Sequence, residues 1–496
     1  MNVSIIRYIL GHIIKLEGFF MLLPCVIAVI FHENELFTYL AMAVVCILLG
    51  SLLTLKKAKD NVFYLKEGCI ATVLSWIVLS FFGALPFIIT GEIPHFTDAM
   101  FETVSGFTTT GASILTNVEA LCHASLFWRS FTHWIGGMGV LVFLLAIVPL
   151  SGGSNMNLMR AESPGPSVGK LVPKMRYTAR ILYIIYLVLT IIEFIALLLV
   201  KMPWFDALCI SIGTAGTGGF GILNSSCGAY SVSVQWIVTI FMILFAVNFN
   251  AYYLILFGQI RNAFKMEEVR VFLAVVFAAI ILITIDISKM YNSIFDALTY
   301  AAFQVASLVS STGFATTDFD MWPGFSKTIL VLLMFMGACA GSTGGGIKVS
   351  RLVIVGKSIK KELHSYIHPK SVKQIVMDGK EVDSNVIRSV SIYFLTFAAI
   401  FVLSILIIAL EEYDLVTNFT SVIATMNNIG PGLSMVGPTQ NFAHFTDLSK
   451  WVFIFNMLAG RLELFPLLIL FHPSIWHELL VKPIRKKIRQ ATTSGN

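Results

Sequence analysis

Long apolar runs alternate with short polar stretches along almost the whole chain. Runs of about twenty residues or more occupy 12–31, 36–55, 71–90, 126–150, 177–201, 232–258, 268–288, 325–356, 386–410 and 448–472. A helix of about 20 apolar residues crosses the roughly 30 Å hydrocarbon core of a bilayer, because each residue rises about 1.5 Å. The pattern therefore predicts ten membrane-spanning helices.

A second pattern recurs at four places between these runs. Each copy has an acidic residue, about three turns of small and apolar residues, and a polar tetrad closing on glycine. The tetrads are TTTG at 108–111, GTGG at 216–219, SSTG at 310–313 and NNIG at 427–430. A helix over 98–108 rises only about 16 Å, so it enters a bilayer without crossing it. Because irregular backbone at that depth must be buried in protein or line water, four such returns predict a ring around a pore.

Each short stretch stands between two apolar runs, so the chain divides into repeated units. We predict an all-α polytopic membrane protein with four pseudo-repeated span–pore-helix–filter-loop–span units around one pore, preceded by a two-helix hairpin. The predicted parts are the hairpin 1–60, unit 1 at 61–150, unit 2 with its cytoplasmic loop at 151–258, unit 3 at 259–356, unit 4 with its cytoplasmic loop at 357–476, and a basic tail at 477–496.

Charge gives the predicted orientation. Lys and Arg concentrate in 150–176, 258–270, 357–385 and the tail, whereas Asp and Glu are frequent in the loops that hold the short stretches. By the positive-inside rule both termini are cytoplasmic and the four returns open from the outer face. The 57% hydrophobic and 12% charged composition leaves no soluble domain, and topology accounts for the net charge of +6, so nucleic-acid binding is not predicted. The seven scattered cysteines indicate neither a zinc site nor a disulfide framework.

The four short stretches carry groups suited to a cation. We expect the aspartate of each to cap a half-helix at its outer end, the residues being Asp98, Asp206, Asp296 and Asp414. The opposite ends then point into the membrane with the negative pole of the helix dipole. Successive carbonyls and hydroxyls of the tetrads can replace the hydration shell of an ion, and glycine permits the required backbone angles. The alternative is a set of four ordinary glycine turns in a transporter.

The segment GACAGSTGGG at 337–346 interrupts a predicted span. It holds five glycines in ten residues, each destabilising a helix by about 1 kcal/mol, so the helix must break there. It lacks the Gly-Lys-Ser/Thr of a phosphate loop and follows no strand, so a nucleotide site is not predicted. A functional break and a simple packing kink both remain open.

A few polar residues lie within apolar runs. Arg461 is in the middle of the last span, where a buried arginine costs on the order of 3 kcal/mol, so we expect it to face the pore or a partner. We expect Glu193, His133, Asn248 and Asn250 to hydrogen-bond between helices. No Ser/His pair, paired aspartates or HExxH motif lies within the spans, which disfavours the alternative of an intramembrane enzyme.

Several segments are long enough to identify a family. They are FTTTGAS at 107–113, WRSFTHWIGGMG at 128–139, GGFG at 218–221, FQVASLVSSTGFATTDF at 303–319, GACAGSTGGGIKVSR at 337–351, NNIGPGL at 427–433 and AGRLELFPLL at 459–468. Together they resemble the Trk/Ktr superfamily of potassium-uptake proteins, most closely its bacterial TrkH/TrkG membrane subunits, over nearly the whole chain.

The resemblance implies a potassium selectivity filter to which each unit donates one segment. The implied filter residues are Thr109, Thr110, Gly111, Thr217, Gly218, Gly219, Ser311, Thr312, Gly313, Asn428, Ile429 and Gly430. The second and fourth tetrads depart from a TxTG-like form, which predicts looser selectivity there. Serine at the first filter glycine is associated with sodium in the superfamily, so Gly111 favours potassium over the alternatives of sodium or ammonium.

The resemblance also implies a gate and a regulator. The break becomes an intramembrane gate loop with the residues Gly337, Gly341, Ser342, Thr343, Gly344, Gly345, Gly346, Lys348 and Arg461. Lys348 can instead be a lysine that snorkels to the membrane surface. The implied setting is a homodimer in the bacterial inner membrane, in contact with lipid. K⁺ is the transported ion, no organic cofactor binds this chain, and a cytoplasmic TrkA-type subunit that binds NAD(H) or ATP regulates flow. Channel-like flow and coupling to H⁺ or Na⁺ both stay open.

Overall fold

A computed structural model describes residues 2–56, 64–139, 175–371 and 373–476, with the side chains of 175–179 left aside. The end of the run 126–150, the loop 150–174 and the basic tail therefore lie outside the described residues, as do the predictions made for them.

Helices dominate the described residues. They are α1 Val3–Phe20, α2 Leu22–Phe31, α3 Leu36–Thr54, α4 Leu65–Thr90, α5 Phe96–Phe107, α6 His123–Met138, α7 Met175–Leu199, α8 Trp204–Gly216, α9 Val232–Ala246, α10 Phe249–Leu256, α11 Ile260–Lys265, α12 Glu267–Ile287, α13 Ile294–Val309, α14 Gly324–Met336, α15 Val349–Ile367, α16 Ser384–Ile408, α17 Leu415–Met426, α18 Asp447–Leu462, α19 Leu464–Leu468 and α20 Pro473–Trp476. Two short strands, β1 Val376–Met377 and β2 Lys380–Glu381, pair antiparallel.

Six described helical stretches are long and apolar enough to cross a membrane. They are Val3–Phe31, Leu36–Thr54, Leu65–Thr90, Arg180–Leu199, Glu267–Met290 and Ser384–Glu411. The pair α9 and α10, bent by 91°, brings the number to seven. Of the other three predicted spans, 126–150 continues outside the described residues, and 325–356 and 448–472 are divided between shorter helices.

The first two spans form the predicted hairpin through glycine contacts. A Cβ on Gly50 would lie 2.5 Å from the Gly11 carbonyl oxygen, and one on Gly18 would lie 2.8 Å from that of Ala43. Such small residues allow helix backbones in a membrane to approach closely. The helix starts at Val3, earlier than the predicted 12, because the polar residues of its first turns do not break it.

The four short stretches form short helices, here called half-helices 1 to 4 (α5, α8, α13 and α17). Each packs against the helix that ends the preceding unit, in a cyclic order. Half-helix 1 contacts α18, half-helix 2 contacts α6, half-helix 3 contacts α9 and half-helix 4 contacts α14. The last unit thus touches the first, and the half-helices surround a common axis.

Two predicted spans are broken where continuous helices were expected. The run 232–258 bends at Val247 and Asn248, and the run 448–472 breaks at Glu463, whose φ is +66°. No proline or glycine lies within five residues of Val247 and Asn248, so composition concealed that break, whereas Pro466 follows Glu463 in the first turn of α19. The third break follows Met336, and helix resumes only at Val349.

The small β-hairpin anchors the loop 357–385. Asp378 and Gly379 both have positive φ, +52° and +76°, as a type I′ turn requires. The Asp378 Oδ1 accepts the Glu267 N–H at 2.7 Å, which caps the start of α12. The loop is therefore tied to the end of a membrane span.

Candidate ion-conduction site

All four half-helices end in the same backbone conformation. The second residue of each tetrad lies in the left-handed region, with φ of +57° at Thr109, +54° at Thr217, +58° at Ser311 and +53° at Asn428. Threonine is rare there because its branched Cβ clashes with the backbone. Strain of this kind persists only where the surrounding structure enforces it, and it is concentrated at functional sites.

One hydrogen bond recurs at every half-helix end. The N–H of the third tetrad residue reaches back five residues, at 2.8–3.0 Å, in the pairs Thr110 to Ser105, Gly218 to Gly213, Thr312 to Ser307 and Ile429 to Ala424. This is the 6→1 bond of a Schellman cap, which ends a helix and turns the chain away from its axis. Four segments of different sequence thus share one geometry.

The closing glycines bring the tetrads into a closed ring. A Cβ on Gly111 would lie 2.0 Å from the Gly218 carbonyl oxygen, and one on Gly219 equally close to that of Thr312. The corresponding distances are 2.1 Å from Gly313 to Ile429 and 2.8 Å from Gly430 to Thr110. The contacts run from the first tetrad to the second, third and fourth and back to the first. Because each glycine has a φ between +77° and +96°, both space and backbone angle require glycine.

One cavity of about 180 Å³ lies against this ring. All four closing glycines line it, together with residues that follow the tetrads, such as Ala112, Phe220 and Pro431. The glycine-rich segment 337–346, in contrast, contacts residues near the starts of the third and fourth tetrads. The ring therefore separates the cavity from that segment.

The second tetrad departs from the TxTG-like form because of His133. The His133 Nδ1 lies 2.8 Å from the Gly106 carbonyl oxygen, and Nε2 accepts the Phe220 N–H at 3.2 Å. These partners require the neutral ring with its proton on Nδ1. A Cβ on Gly218 would lie 2.0 Å from His133 Cγ, so the ring of the histidine occupies the space of a side chain. His133 thus makes the predicted interhelical bonds and joins the first two segments.

The fourth tetrad departs for a different reason. The Asn428 Nδ2 donates to Thr110 Oγ1 at 2.9 Å and to the Met457 carbonyl at 2.8 Å. Asparagine tolerates the left-handed conformation better than most residues. The departure therefore ties the fourth segment to the first.

The expectation that four aspartates cap the half-helices is wrong for three of them. Only Asp414 is an N-cap, accepting the Thr417 N–H at 3.1 Å, and the Thr417 hydroxyl lowers the pKa of Asp414 from its ordinary value. Asp98, Asp206 and Asp296 lie in the first turn instead. Negative charge there still complements the helix dipole.

The buried ion pair between Arg129 and Glu102 stabilises the first segment. The Arg129 Nη2 lies 2.7 Å from Glu102 Oε1, and the two side chains are 2% and 0% exposed. The Glu102 Oε2 also accepts the Ile114 N–H at 3.0 Å, and Arg129 Nη1 donates to the Gly221 carbonyl at 3.3 Å. The pair therefore joins half-helix 1 to the returns that follow two tetrads.

We expect Glu102→Gln to destabilise the protein by about 3–5 kcal/mol, since Arg129 keeps a buried charge without its counter-ion. Thermal unfolding of the detergent-solubilised protein measures the change. Asp320→Asn is the control, because Asp320 and Lys327 are about one-third exposed and 3.8 Å apart and contribute little. Small and equal decreases in the unfolding temperature of both variants would show that the Glu102–Arg129 pair does not stabilise the protein in this way.

The glycine-rich segment is mostly buried and is anchored along its length. Its Cys339 N–H donates to the Ala246 carbonyl at 3.1 Å, and the Gly341 carbonyl accepts the Phe249 N–H at 3.0 Å. The segment thus satisfies backbone groups that the break between α9 and α10 leaves unpaired.

Arg461 and Lys348 both contact this segment. Arg461 donates to the Thr343 carbonyl at 2.6 Å and to the carbonyls of Gly136 and Gly137 at 2.5 and 2.6 Å. Lys348 is 1% exposed and donates to the Gly344 carbonyl at 2.5 Å, so it does not snorkel to the membrane surface. Both cations are bound to the segment or to helix ends beside it.

Sequence reasoning missed Glu268, which links three pieces around the segment. The Glu268 Oε1 accepts the N–H of Ala340 at 2.6 Å and of Ser350 at 3.1 Å, and its Oε2 accepts from Asn248 Nδ2 at 3.3 Å. Asn248 therefore makes its predicted interhelical bond, and it also caps α10. The position of Asn248 inside an apolar run was the available sign of a helix start there, since asparagine is favoured at the N-cap of a helix.

Glu193 and Asn250 are the two other residues predicted to hydrogen-bond between helices. Glu193 is fully buried beside Thr214 of half-helix 2. The Asn250 N–H donates to Asn248 Oδ1 at 2.9 Å, a bond within the start of its own helix.

Comparison with known proteins identifies the family of this chain. The model of the TrkH family, described as cation transport protein, matches residues 36–478. The chain belongs to the TrkH family. This confirms the resemblance noted from the sequence motifs, and the family consists of transport proteins, so the prediction of a non-enzyme is confirmed as well.

Individual relatives match over nearly their full length. The Trk system potassium uptake protein TrkH of Salmonella typhimurium is 36% identical over 486 residues, which cover 96% of this chain and 100% of that protein. TrkG of Escherichia coli K12 is 34% identical, covering 96% and 99%. The crystal structure of the potassium transporter TrkH from Vibrio parahaemolyticus matches with a TM-score of 0.86 at 33% identity, covering 96% and 100%. The predicted all-α membrane fold is confirmed by this match.

Proposed function

We propose that the chain is the potassium-translocating membrane subunit of a Trk-type uptake system. The four tetrads form its selectivity filter, and the segment 337–346 is an intramembrane gate loop. The filter residues are those predicted from the motifs, and the four units keep the predicted boundaries.

The observation that carries this proposal is the closed ring of four glycines. A cation that loses its hydration shell needs several oxygen ligands directed at one point. The contacts of Gly111, Gly219, Gly313 and Gly430 bring the carbonyls of all four segments beside one axis, next to one cavity. The C-terminal ends of four half-helices add partial negative charge at the same place.

Potassium is favoured over sodium and ammonium by the relatives. The matching TrkH and TrkG proteins are named as potassium uptake proteins, and this chain has glycine at the first filter position. The interlocked backbone of the ring supports a fixed array of carbonyls, because a Schellman cap and one close glycine contact hold each segment.

The gate assignment is supported by the position of the segment. Its glycines lie against the third and fourth tetrads, on the side of the ring opposite the cavity. An ion leaving the ring on that side meets the segment. Regulation belongs to a cytoplasmic TrkA-type subunit that binds NAD(H) or ATP, and the exposed lysines of 357–385, with the loop 150–176, are its proposed docking surface. The subunit is a homodimer in the bacterial inner membrane with both termini cytoplasmic.

Expression in a bacterium that lacks potassium uptake tests the function. We expect growth on limiting potassium, and we expect Gly219→Ser, which places a Cβ in contact with the Thr312 carbonyl, to abolish it. The matched control is Gly356→Ala, since no atom lies within 4 Å of a Cβ there. Absence of growth with the wild-type chain present in the membrane and its partner co-expressed would falsify potassium uptake.

A further inference from the structure

The glycine-rich segment is hydrogen-bonded directly to the third and fourth tetrads. The Gly345 N–H donates to Ser311 Oγ at 2.8 Å, and the Ile347 N–H donates to Asn427 Oδ1 at 3.2 Å. Ser311 and Asn427 are both 0% exposed, so neither N–H has water as an alternative partner at this contact. Two backbone donors, one in the segment and one in the residue directly after it, therefore depend on side chains of the ring.

The glycines of the segment fit closely against the same two tetrads. A Cβ on Gly344 would lie 2.8 Å from the Ser310 carbonyl oxygen, one on Gly345 would lie 2.7 Å from Asn428 Cβ, and one on Gly346 would lie 2.8 Å from Asn427 Oδ1. Three consecutive residues without side chains thus let the backbone approach the ring closely enough for both hydrogen bonds.

The equivalent positions of the first two tetrads do not make these bonds. Asn427 corresponds to Thr108, whose Oγ1 donates to the Val104 carbonyl at 2.6 Å, and to Gly216, which has no side chain. Ser311 corresponds to Thr109 and Thr217. Thr217 Oγ1 lies 2.6 Å from the carbonyl of its own neighbour Gly216, and Thr109 Oγ1 has no hydrogen-bond partner within the described part of the chain. The segment is therefore attached to one half of the ring only.

We propose that Ser311 and Asn427 are the latch of the gate: side chains of the third and fourth tetrads hold the loop closed. This inference rests on the function proposed above. Because opening of the loop must break both bonds, the state of the gate and the conformation of the third and fourth filter segments are linked, and the linkage acts in both directions. Ser311 and Asn427 are positioning residues in this account, since they act on the loop through its backbone.

Ion flux through the membrane subunit alone tests the latch. We expect Ser311→Ala and Asn427→Ala each to raise rubidium influx into potassium-loaded proteoliposomes by about tenfold, the factor that one lost buried hydrogen bond gives in an equilibrium. Asn427→Asp keeps the accepting oxygen, and the Asn427 amide nitrogen has no partner in the described residues, so this variant should stay closed. If Asn427 had only a structural role, its variants would show a lower folded yield, and Asn427→Ala and Asn427→Asp would not differ in rubidium influx.

Thr217→Ala is the matched control for disturbance of the filter. It removes a hydroxyl at the position equivalent to Ser311, in a segment whose tetrad does not contact the loop. Thr217→Ala can therefore change the ion preference, but it should not raise the rubidium influx. Ser311→Gly repeats the test if Ser311→Ala fails to fold, because glycine adopts the φ of +58° without strain.

The outcomes separate the latch from the proposed function. Low flux in the Ser311 and Asn427 variants, with high flux after deletion of 344–346, overturns the latch and leaves filter and gate in place. Equal leaks in Asn427→Ala and Asn427→Asp also overturn it. Unchanged ion preference in Gly219→Ser, by contrast, removes the filter itself.

Discussion

Replacing Gly111, Gly219 or Gly313 by serine lowers the ratio of potassium to sodium permeability by at least about tenfold, which corresponds to only about 1.4 kcal/mol. Each new Cβ would lie 2.0–2.1 Å from a carbonyl oxygen of the next segment, so that segment must move. Each glycine also has a positive φ, which strains any other residue. Reversal potentials in mixed potassium and sodium solutions measure the ratio.

The effect should be graded around the ring. Gly430→Ser should disturb it least, because the contact there is 2.8 Å. Gly91→Ser is the matched control, since Gly91 has a similar φ of +78° but no atom within 4 Å of a Cβ. A permeability ratio unchanged in all three of the first variants means that these segments do not form the filter.

Deletion of Gly344, Gly345 and Gly346 raises flux and makes it independent of the regulatory partner. The deletion removes the part of the loop that lies against the third and fourth tetrads, and it takes away the carbonyl that Lys348 contacts. Influx into proteoliposomes with and without the partner gives the measurement. Wild-type flux without the partner would show that the segment is a kink and that the gate lies elsewhere.

Arg461→Ala should also raise flux without the partner, because the Thr343 carbonyl loses a buried donor. Loss of one such donor costs about 1–3 kcal/mol, enough to open a gate that is closed 99 times in 100 for a sizeable fraction of the time. The single substitution should release less than the deletion, since Lys348, Glu268, Ser311 and Asn427 also bind the segment or its ends.

Arg461→Gln distinguishes hydrogen bonding from charge. It keeps a donor and loses the positive charge, which by itself repels cations. Flux like that of the wild type supports the contact with the loop, and flux like that of Arg461→Ala supports the electrostatic account.

The segment is held by more contacts than its composition indicates. Glycines have no side chains to pack, which predicts a loop held by a few donors. The bonds instead come from outside, from Ser311, Asn427, Lys348 and Arg461 and from the carboxylate of Glu268. These residues are distant from the segment in sequence, so only the fold brings them to it.

The membrane class, the four short returns and the break at 337–346 could be predicted from the amino-acid sequence alone. Each of these depends on local properties: the length of an apolar run, a polar tetrad that ends on glycine, and the low helix propensity of five glycines in ten residues. The family followed from motifs such as FTTTGAS and GACAGSTGGGIKVSR, which are likewise contiguous.

How these parts meet depends on contacts between residues that are distant in sequence. The helices bend at Asn248 and break at Glu463. The ring of His133 fills the space of a side chain at Gly218, and Glu268 accepts the N–H of Ala340. The last two contacts join residues that are far apart in the chain. A helix can break without proline or glycine when another segment supplies partners for its unpaired backbone groups, as 339–343 does for the break after Ala246. Such partners are fixed only when the whole chain has folded, because inside a membrane every backbone group must be satisfied within the protein.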